Sequence, residues 1–203
     1  MEVNPPLRRS QAERTAATRA VLLAAARKLF STNGFTEVST QAIVEAAGVT
    51  RGALYHQFAD KTELFAAVYE EVEAEIVAQI AEGIVEAAPL DHIEAMKIGA
   101  HLFLDLCSAP AVQRIGLVDA PAVLGWERWR EVGAKYGLGV IEAMLGQAVD
   151  AGAIPDQPLR PTAHVLLGAL DEAALYVSRA EDPVKAKEDM YAVCDRIIAG
   201  IAG

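Results

Sequence analysis

The chain has 203 residues, of which 53% are hydrophobic and 23% are charged, so it contains enough apolar material for the core of one large or two small domains. Its 18 basic and 28 acidic side chains leave a net charge of −10, which argues against a protein that coats nucleic acid over its whole surface. The two cysteines, Cys107 and Cys194, belong to no Cys-x-x-Cys or Cys/His cluster. We therefore expect reduced thiols and neither a disulfide framework nor a metal site.

Charge is distributed unevenly along the chain. Residues 1–65 carry eight basic and six acidic side chains, a net of +2, and the remaining 138 residues carry a net of −12. A phosphate-binding surface is therefore expected in the first third. The longest uncharged stretch is the ten residues between Arg160 and Asp171, shorter than the roughly 18 residues of a membrane span. With no signal-peptide pattern at its start, the chain is expected to be cytoplasmic and not bound to a membrane.

Apolar residues recur with the helical period in nearly every segment, and no stretch alternates as a strand does. The sequence therefore predicts an all-α fold of about nine helices. A disordered arm is expected over residues 1–9, followed by helices near 10–32, 40–47, 51–57 and 60–88. After Pro89 the expected helices lie near 92–108, 111–118, 121–151, 161–180 and 183–201.

Residues 39–55 predict two short helices joined by a tight turn at Gly48, which is the layout of a helix-turn-helix. Ile43 and the alanines at 46 and 47 are expected to form the buried face of the first short helix. Gly48 is suited to the left-handed conformation that ends this helix, and Thr50 is suited to cap the next one through its hydroxyl. We expect a helix-turn-helix domain over 10–66 and a larger helical domain over 67–203.

One face of the second short helix carries groups that suit DNA. At about 100° per residue, the positions from 51 to 56 that share this face are Arg51, Gly52, Tyr55 and His56. Arg51 suits a guanine edge or a phosphate, and Gly52 lets a base or sugar approach the backbone. The polar groups that are suited to bind phosphate oxygens are those of Thr40, Thr50, Tyr55, His56 and Lys61.

The chain resembles the DNA-binding domain of the TetR family of transcriptional regulators in the pattern Thr40-x-x-Ile43-x-x-x-Ala47-Gly48-Val49-Thr50-x-x-x-Leu54-Tyr55-x-x-Phe58-x-x-Lys61-x-x-Leu64. With the preceding helix and its Asn-Gly-Phe exit, the resemblance covers residues 12–66. It implies an all-helical homodimer, usually a repressor, whose second domain binds a small molecule and thereby releases DNA. It also implies base contacts for Arg51 and Gly52, and phosphate contacts for Thr40, Thr50, Tyr55, His56 and Lys61.

One position departs from the family's pattern. Many members have histidine immediately before the phenylalanine, whereas here Gln57 precedes Phe58 and His56 lies one residue earlier. The separate roles of His56 and Gln57 therefore stay open. Each of these residues also has a purely structural alternative. Thr40 and Thr50 could act only as helix caps, Tyr55 could be a partly buried ring, and Lys61 could be a solvated lysine.

The larger domain contains no motif of comparable specificity. Its last two helices combine small residues with large apolar ones, and the resemblance implies that they pair with the same helices of a second subunit in a four-helix bundle. The candidate dimer-interface residues are Leu166, Ala169, Leu170, Ala173, Val193 and Ile197. The alternative is that these two helices close the core of a single subunit.

Aromatic and apolar side chains of the central helices are candidate walls of a ligand cavity. They are Phe103, Leu106, Leu117, Trp126, Trp129, Tyr136, Met144 and Tyr176. The polar groups that could orient a ligand are those of His101, Asp119, His164 and Asp171. His101 and Asp105 have a spacing found in metal sites, but a solvated or hydrogen-bonded histidine is the simpler interpretation. The effector, and whether it releases or promotes DNA binding, stay open.

An enzyme is the alternative from another class, because a helical dimer with an apolar pocket has room for chemistry. The sequence contains no Gly-rich phosphate loop, no paired metal-ligand motif and no nucleophile with a recognisable base. A third possibility is a helical interaction module whose helix-turn-helix no longer binds DNA. We predict neither catalysis nor a cofactor, but a homodimeric regulator whose two recognition helices, about 34–36 Å apart, bind a pseudo-palindromic operator.

Overall fold

The computed structural model describes residues 11–201, and in this range it contains helices and no strand. The helices are α1 (Gln11–Asn33), α2 (Thr40–Ala47), α3 (Arg51–Gln57), α4 (Lys61–Ala87), α5 (His92–Ser108), α6 (110–124), α7 (126–150), α8 (Leu159–Arg179) and α9 (Pro183–Ile201). The prediction of an all-α fold is confirmed. The arm predicted over residues 1–9 lies outside the described residues.

Two of the helices, α6 and α7, are interrupted by π-helical stretches. In α6 the stretch is Gln113–Asp119, and in α7 it is Ala134–Leu138. The sequence predicted a break between residues 118 and 121, and this prediction is wrong. Pro121 lies in the first turn that follows the π-helical stretch, and the chain breaks instead at Gly125, where φ is 79°.

The chain divides into two compact units between Val68 and Tyr69, within α4. In the first unit α1 packs against α2 and α3. Three aromatic rings form the centre of its core: the centroid of Phe30 lies 5.7 Å from that of Phe35 and 5.3 Å from that of Phe65. This packing holds the short helices α2 and α3 against the longer α1.

In the second unit α5, α8 and α9 pack against one another, and the last part of α7 packs against α5 and α8. Fully buried side chains such as Leu104, Ile115 and Leu145 form its core. Within residues 11–201, no helix combines the length and the apolar character needed to cross a membrane.

Candidate nucleic-acid interface and cavity

The turn between α2 and α3 is fixed by hydrogen bonds at the helix ends. The Ser39 hydroxyl oxygen accepts a 3.1 Å bond from the amide of Ala42, and the Thr50 hydroxyl oxygen accepts a 3.2 Å bond from the amide of Ala53. Gly48 follows α2 with a φ of 65°, a left-handed conformation that a residue with a Cβ adopts only at a cost. These three features set the direction in which α3 leaves the turn.

α3 has one buried face and one exposed face. Leu54 is fully buried among the side chains of the first unit. The residues predicted to face DNA lie on the other side, where Arg51, Gly52, Tyr55 and His56 are all exposed. The local fold therefore leaves the predicted contact residues of α3 open to a partner.

Three of the predicted contact residues lie together on this surface. The Arg51 guanidinium donates a long hydrogen bond of 3.5 Å to the Tyr55 hydroxyl and lies 5.6 Å from the centroid of its ring. The hydrogen bond from Arg51, followed by one with Thr40, lowers the pKa of Tyr55. The arrangement presents a cation beside two hydroxyls, which suits phosphate oxygens and the edge of a base.

Thr50 and Gly52 are also available to a partner. The Thr50 oxygen accepts the capping bond, which leaves the hydroxyl hydrogen free to be donated. At Gly52, a Cβ would have the Thr50 hydroxyl oxygen at 3.9 Å as its nearest neighbour, an ordinary contact. The packing of this chain therefore does not require glycine at position 52.

Lys61 lies in a different environment from the others. Its ammonium donates two 2.9 Å hydrogen bonds, to the carbonyl oxygens of Phe35 and Val38, and lies 4.0 Å from the centroid of the Phe35 ring. An ammonium has three hydrogens, so one is left for a phosphate. The sequence did not predict that Lys61 fastens the segment before α2 to the start of α4.

The second unit contains a partly open cavity of about 120 Å³ that is lined mainly by apolar side chains. Both π-helical stretches contribute to its wall, through Gly116 and Leu117 from the first and Gly137 from the second. Such stretches often occur at functional sites. The predicted wall residues that line it are Phe103, Leu117, Trp129, Met144 and Asp171.

The other predicted wall residues do not line the cavity: His101, Leu106, Trp126, Tyr136, His164 and Tyr176. Trp126 and Tyr176 are 63% and 54% exposed. The imidazole of His101 instead pairs with Asp195 at 2.9 Å, and Asp119 pairs with Arg114. Helical periodicity shows which side chains share a face of a helix, but it does not show which neighbouring helix that face contacts. The predicted wall residues therefore include side chains on outward faces as well as on inward ones.

Sequence reasoning missed the acid that α4 contributes to the cavity. Glu73 lines the wall together with Asp171 from α8. Burial and the nearby Asp171 raise the pKa of Glu73 to about 7, whereas a hydrogen bond with Tyr69 opposes the shift. Burial likewise raises the pKa of Asp171 to about 6, against the effect of its ion pair with Arg130. Nothing in the sequence of the long helix α4 indicated that Glu73 faces inward.

The candidate dimer-interface residues of α8 lie on its inner side. Ala173 is buried, and the other three, Leu166, Ala169 and Leu170, line the cavity. On α9, Val193 is half-buried, and Ile197 lines the cavity while it stays 42% exposed. The inner face of α8 is therefore used within the subunit, and the interface predicted on this helix stays a prediction.

No group of three or more His, Cys, Asp and Glu side chains with the geometry of a metal site occurs within residues 11–201. The Asp105 carboxylate, which the sequence paired with His101, instead accepts hydrogen bonds from Lys187 at 2.6 Å and from Tyr191 at 2.5 Å. His101 stacks on the Tyr191 ring with a centroid distance of 4.2 Å. These polar groups tie α5 to α9.

Two family models match the chain. Residues 22–68 match the bacterial regulatory proteins of the tetR family, and residues 93–201 match the tetracyclin repressor-like C-terminal domain. Together the models cover most of both structural units. The first match contains α2, α3 and the turn between them, and the second contains α5 to α9.

Individual relatives agree with these matches. The chain is 46% identical to the HTH-type transcriptional regulator AcrR of Shigella flexneri over 59 residues, which are 29% of this chain and 27% of that regulator. A crystal structure of a TetR-family transcriptional regulator from Pectobacterium atrosepticum is 30% identical, with a TM-score of 0.82 over 96% of this chain and 98% of the other. The structure of RolR with the ligand resorcinol is 18% identical, with a TM-score of 0.73 over 95% and 96% of the two chains, and shares the fold.

Proposed function

The chain belongs to the TetR family of bacterial regulatory proteins, and from this premise we propose that it represses transcription by binding operator DNA as a homodimer under the control of a small molecule. The observation that carries the proposal is the pair of exposed side chains Arg51 and Tyr55, with the half-buried Thr40 beside them, on a capped helix-turn-helix. It supports DNA binding because these side chains are assembled on the surface and not used in the core.

The DNA-binding surface comprises Thr40, Thr50, Arg51, Gly52, Tyr55 and His56, with Lys61 at its edge. Arg51 has the planar, forked donors that suit a guanine edge, and the hydroxyls suit the phosphates on either side of the groove. Gly52 leaves the backbone of α3 open to close approach. Lys61 acts mainly by fastening the backbone before α2, and its remaining hydrogen is available to a phosphate.

A homodimer presents two copies of this surface, and specific binding to a pseudo-palindromic operator requires both copies, one for each half-site. We place the twofold interface on the outward faces of α8 and α9. Large apolar side chains are exposed there: Val165 is 70% exposed, Tyr176 54% and Val184 69%. Apolar groups exposed on two adjacent packed helices support an isologous helical interface.

The cavity of the second unit is the proposed effector site. Its wall is largely apolar and contains a few polar groups, the usual composition of a small-molecule site. RolR, which shares the fold, was crystallised with resorcinol, a small aromatic ligand. A regulator of this kind acts where the chromosome lies, so a cytoplasmic location belongs to the same proposal.

DNA binding is tested by fluorescence anisotropy with duplex DNA from the region upstream of the protein's own gene. We expect the affinity to fall steeply as salt rises, and to fall by about tenfold or more in Arg51→Ala and Tyr55→Ala. Lys97→Ala, which removes a cation from α5, is the matched control and is expected to bind as the unaltered protein does. Salt-independent binding, or binding that neither α3 substitution weakens, would contradict the proposal.

A further inference from the structure

We propose that the cavity selects a compact, largely apolar molecule that carries a protonated amine. The inference deepens the proposed function and rests on it only in treating this cavity as the effector site. Three properties of the wall carry it: the volume it encloses, the aromatic rings it presents and the sign of its charged groups.

The volume limits the ligand to about one ring. The cavity measures about 120 Å³. An apolar cavity of roughly 150 Å³ in another protein admits benzene. A single aromatic ring or a short branched chain with one small polar group therefore fits, whereas a fused-ring compound or a long acyl chain requires the walls to move or part of the ligand to stay outside the cavity.

The aromatic rings favour a flat or cationic occupant. Tyr69, Phe103 and Trp129 line the wall from α4, α5 and α7. The Trp129 ring is held in place, because its indole N–H donates a 2.9 Å hydrogen bond to the carbonyl oxygen of Gly116. Aromatic faces attract ammonium groups, and the attraction increases when the pair is shielded from water.

The charged groups in the wall are both acids. Among the described residues that line the cavity, Glu73 and Asp171 are the ionisable carboxyls, and there is no lysine, arginine or histidine. Arg130 does not line the cavity but pairs with Asp171, so this acid is partly neutralised. Glu73 has a hydrogen bond with the Tyr69 hydroxyl, which supplies no positive charge. The two acids would repel an anionic ligand, whereas a cationic ligand would give the Glu73 carboxylate a positively charged partner.

The remaining titratable groups of the wall do not compete for this role. Burial raises the pKa of both thiols, Cys107 and Cys194, so they stay neutral. Burial also raises the pKa of the Tyr69 hydroxyl. The carboxyl of Glu73 is thus the group in the wall whose charge is available to a ligand near neutral pH.

Ligand binding is coupled to the proton on Glu73. The pKa of this carboxyl is raised to about 7 without ligand, and an ammonium beside it favours the ionised form. Amine binding therefore releases a proton and becomes tighter as the pH rises from 6 to 8, by about tenfold for one linked group. A neutral ligand of the same shape gains no such advantage from the ionised carboxylate.

The test uses three probes that share one ring and differ in charge: benzylamine, benzyl alcohol and benzoate. Binding to the full-length protein is measured by calorimetry, and in Trp126→Phe by the fluorescence of the buried Trp129. We expect benzylamine to bind at least about tenfold more tightly than the other two at pH 8, and to lose about tenfold or more in Glu73→Gln. Glu82→Gln, an exposed acid on the same helix, is the matched control and should bind benzylamine normally.

Several results would overturn the inference. They are benzyl alcohol or benzoate binding as tightly as benzylamine, Glu73→Gln without effect on benzylamine, or no binding of any probe. Benzylamine binding that shows the expected pH dependence supports it whatever happens to DNA affinity. If such binding leaves DNA affinity unchanged in the anisotropy assay, the proposed control by ligand fails while the specificity of the cavity stands.

Discussion

The ammonium of Lys61 donates a 2.9 Å hydrogen bond to the carbonyl oxygen of Phe35, the same residue whose ring lies 4.0 Å from it. A second bond of equal length goes to the carbonyl oxygen of Val38. The side chain thus joins the first turn of α4 to the segment that leads into α2. We therefore expect Lys61 to affect DNA binding largely by holding this backbone in place.

Replacing Lys61 with methionine separates this positioning role from a phosphate contact. Lys61→Met keeps most of the apolar stem and removes the donors of both hydrogen bonds. We expect the free energy of unfolding to fall by about 1–3 kcal/mol, because two carbonyl oxygens lose a charged partner. Urea denaturation measures the change, with Lys28→Met, an exposed lysine of α1, as control.

The opposite result for Lys61 would also be clear. If this lysine acted only on phosphate, Lys61→Met would leave the urea midpoint unchanged. It would then lower the slope of log affinity against log salt by about one phosphate contact. Such a pattern would contradict the positioning role.

The two glycines of the helix-turn-helix are expected to respond differently to alanine. Gly52→Ala should leave stability unchanged or raise it by up to about 1 kcal/mol, because alanine favours helix and the new Cβ meets only Thr50 at 3.9 Å. It should nevertheless weaken DNA binding, since the methyl group occupies the space that a base or sugar needs. Anisotropy and thermal melting of the same sample make both measurements, and unchanged affinity would argue against close approach of DNA at position 52.

Gly48→Ala supplies the comparison. Its Cβ would meet nothing within 4 Å, so crowding is not the cause of any effect. The φ of 65° is the cause, and we expect a loss of about 1–2 kcal/mol in the free energy of unfolding. Once folded, the variant should bind DNA as before. A variant as stable as the unaltered protein would show that the backbone at this turn relaxes.

These two glycines show how much the sequence could predict. The helix-turn-helix was recoverable because each signal is local: Gly48 ends α2, Thr50 caps α3, and their spacing fixes the rest. Gly125 was missed as a break because a single glycine within a helical pattern is a weak break signal, and the π-helical stretch before it cannot be seen in the pattern of residues. A turn can therefore be predicted from the sequence where its conformation depends only on residues that are neighbours along the chain.

The second unit was harder to predict because its site depends on which helix faces meet. α8 is apolar on two sides, and the sequence assigned Leu166 and Ala173 to a partner although both are buried within the subunit. Trp126 and Trp129 are three residues apart on α7, yet one is 63% exposed and the other is 3% exposed. Glu73 was overlooked for the same reason, since its burial beside Asp171 depends on how α8 packs and is not visible from α4 alone.

Replacing Glu73 with glutamine should change how stability depends on pH. The folded state raises the pKa of this carboxyl from 4.5 to about 7, so the folded state holds the proton more tightly than the unfolded state. The contribution of Glu73 to stability is therefore present in full below pH 4.5 and is lost as the pH rises through about 7. Glu73→Gln removes this loss, which amounts to roughly 3 kcal/mol at most.

Urea denaturation at pH 5 and pH 8 measures this effect. We expect the stability of Glu73→Gln relative to the unaltered protein to be clearly greater at pH 8 than at pH 5. Glu82→Gln, exposed on the same helix, should show the same relative stability at both values. Equal behaviour of the two variants would show that the Glu73 carboxyl is well solvated in the folded protein.

The location of the twofold interface is tested by charging the outward face of α8. Val165 is 70% exposed in the isolated chain, so Val165→Glu should not disturb the fold of one subunit. In a dimer it would bury a carboxylate in an apolar interface, and we expect the dissociation constant to rise at least about tenfold. Sedimentation velocity over a range of concentrations measures this. Val85→Glu changes a valine that is 79% exposed on α4 and should leave the dimer intact; if it dissociates the dimer while Val165→Glu does not, the interface lies elsewhere.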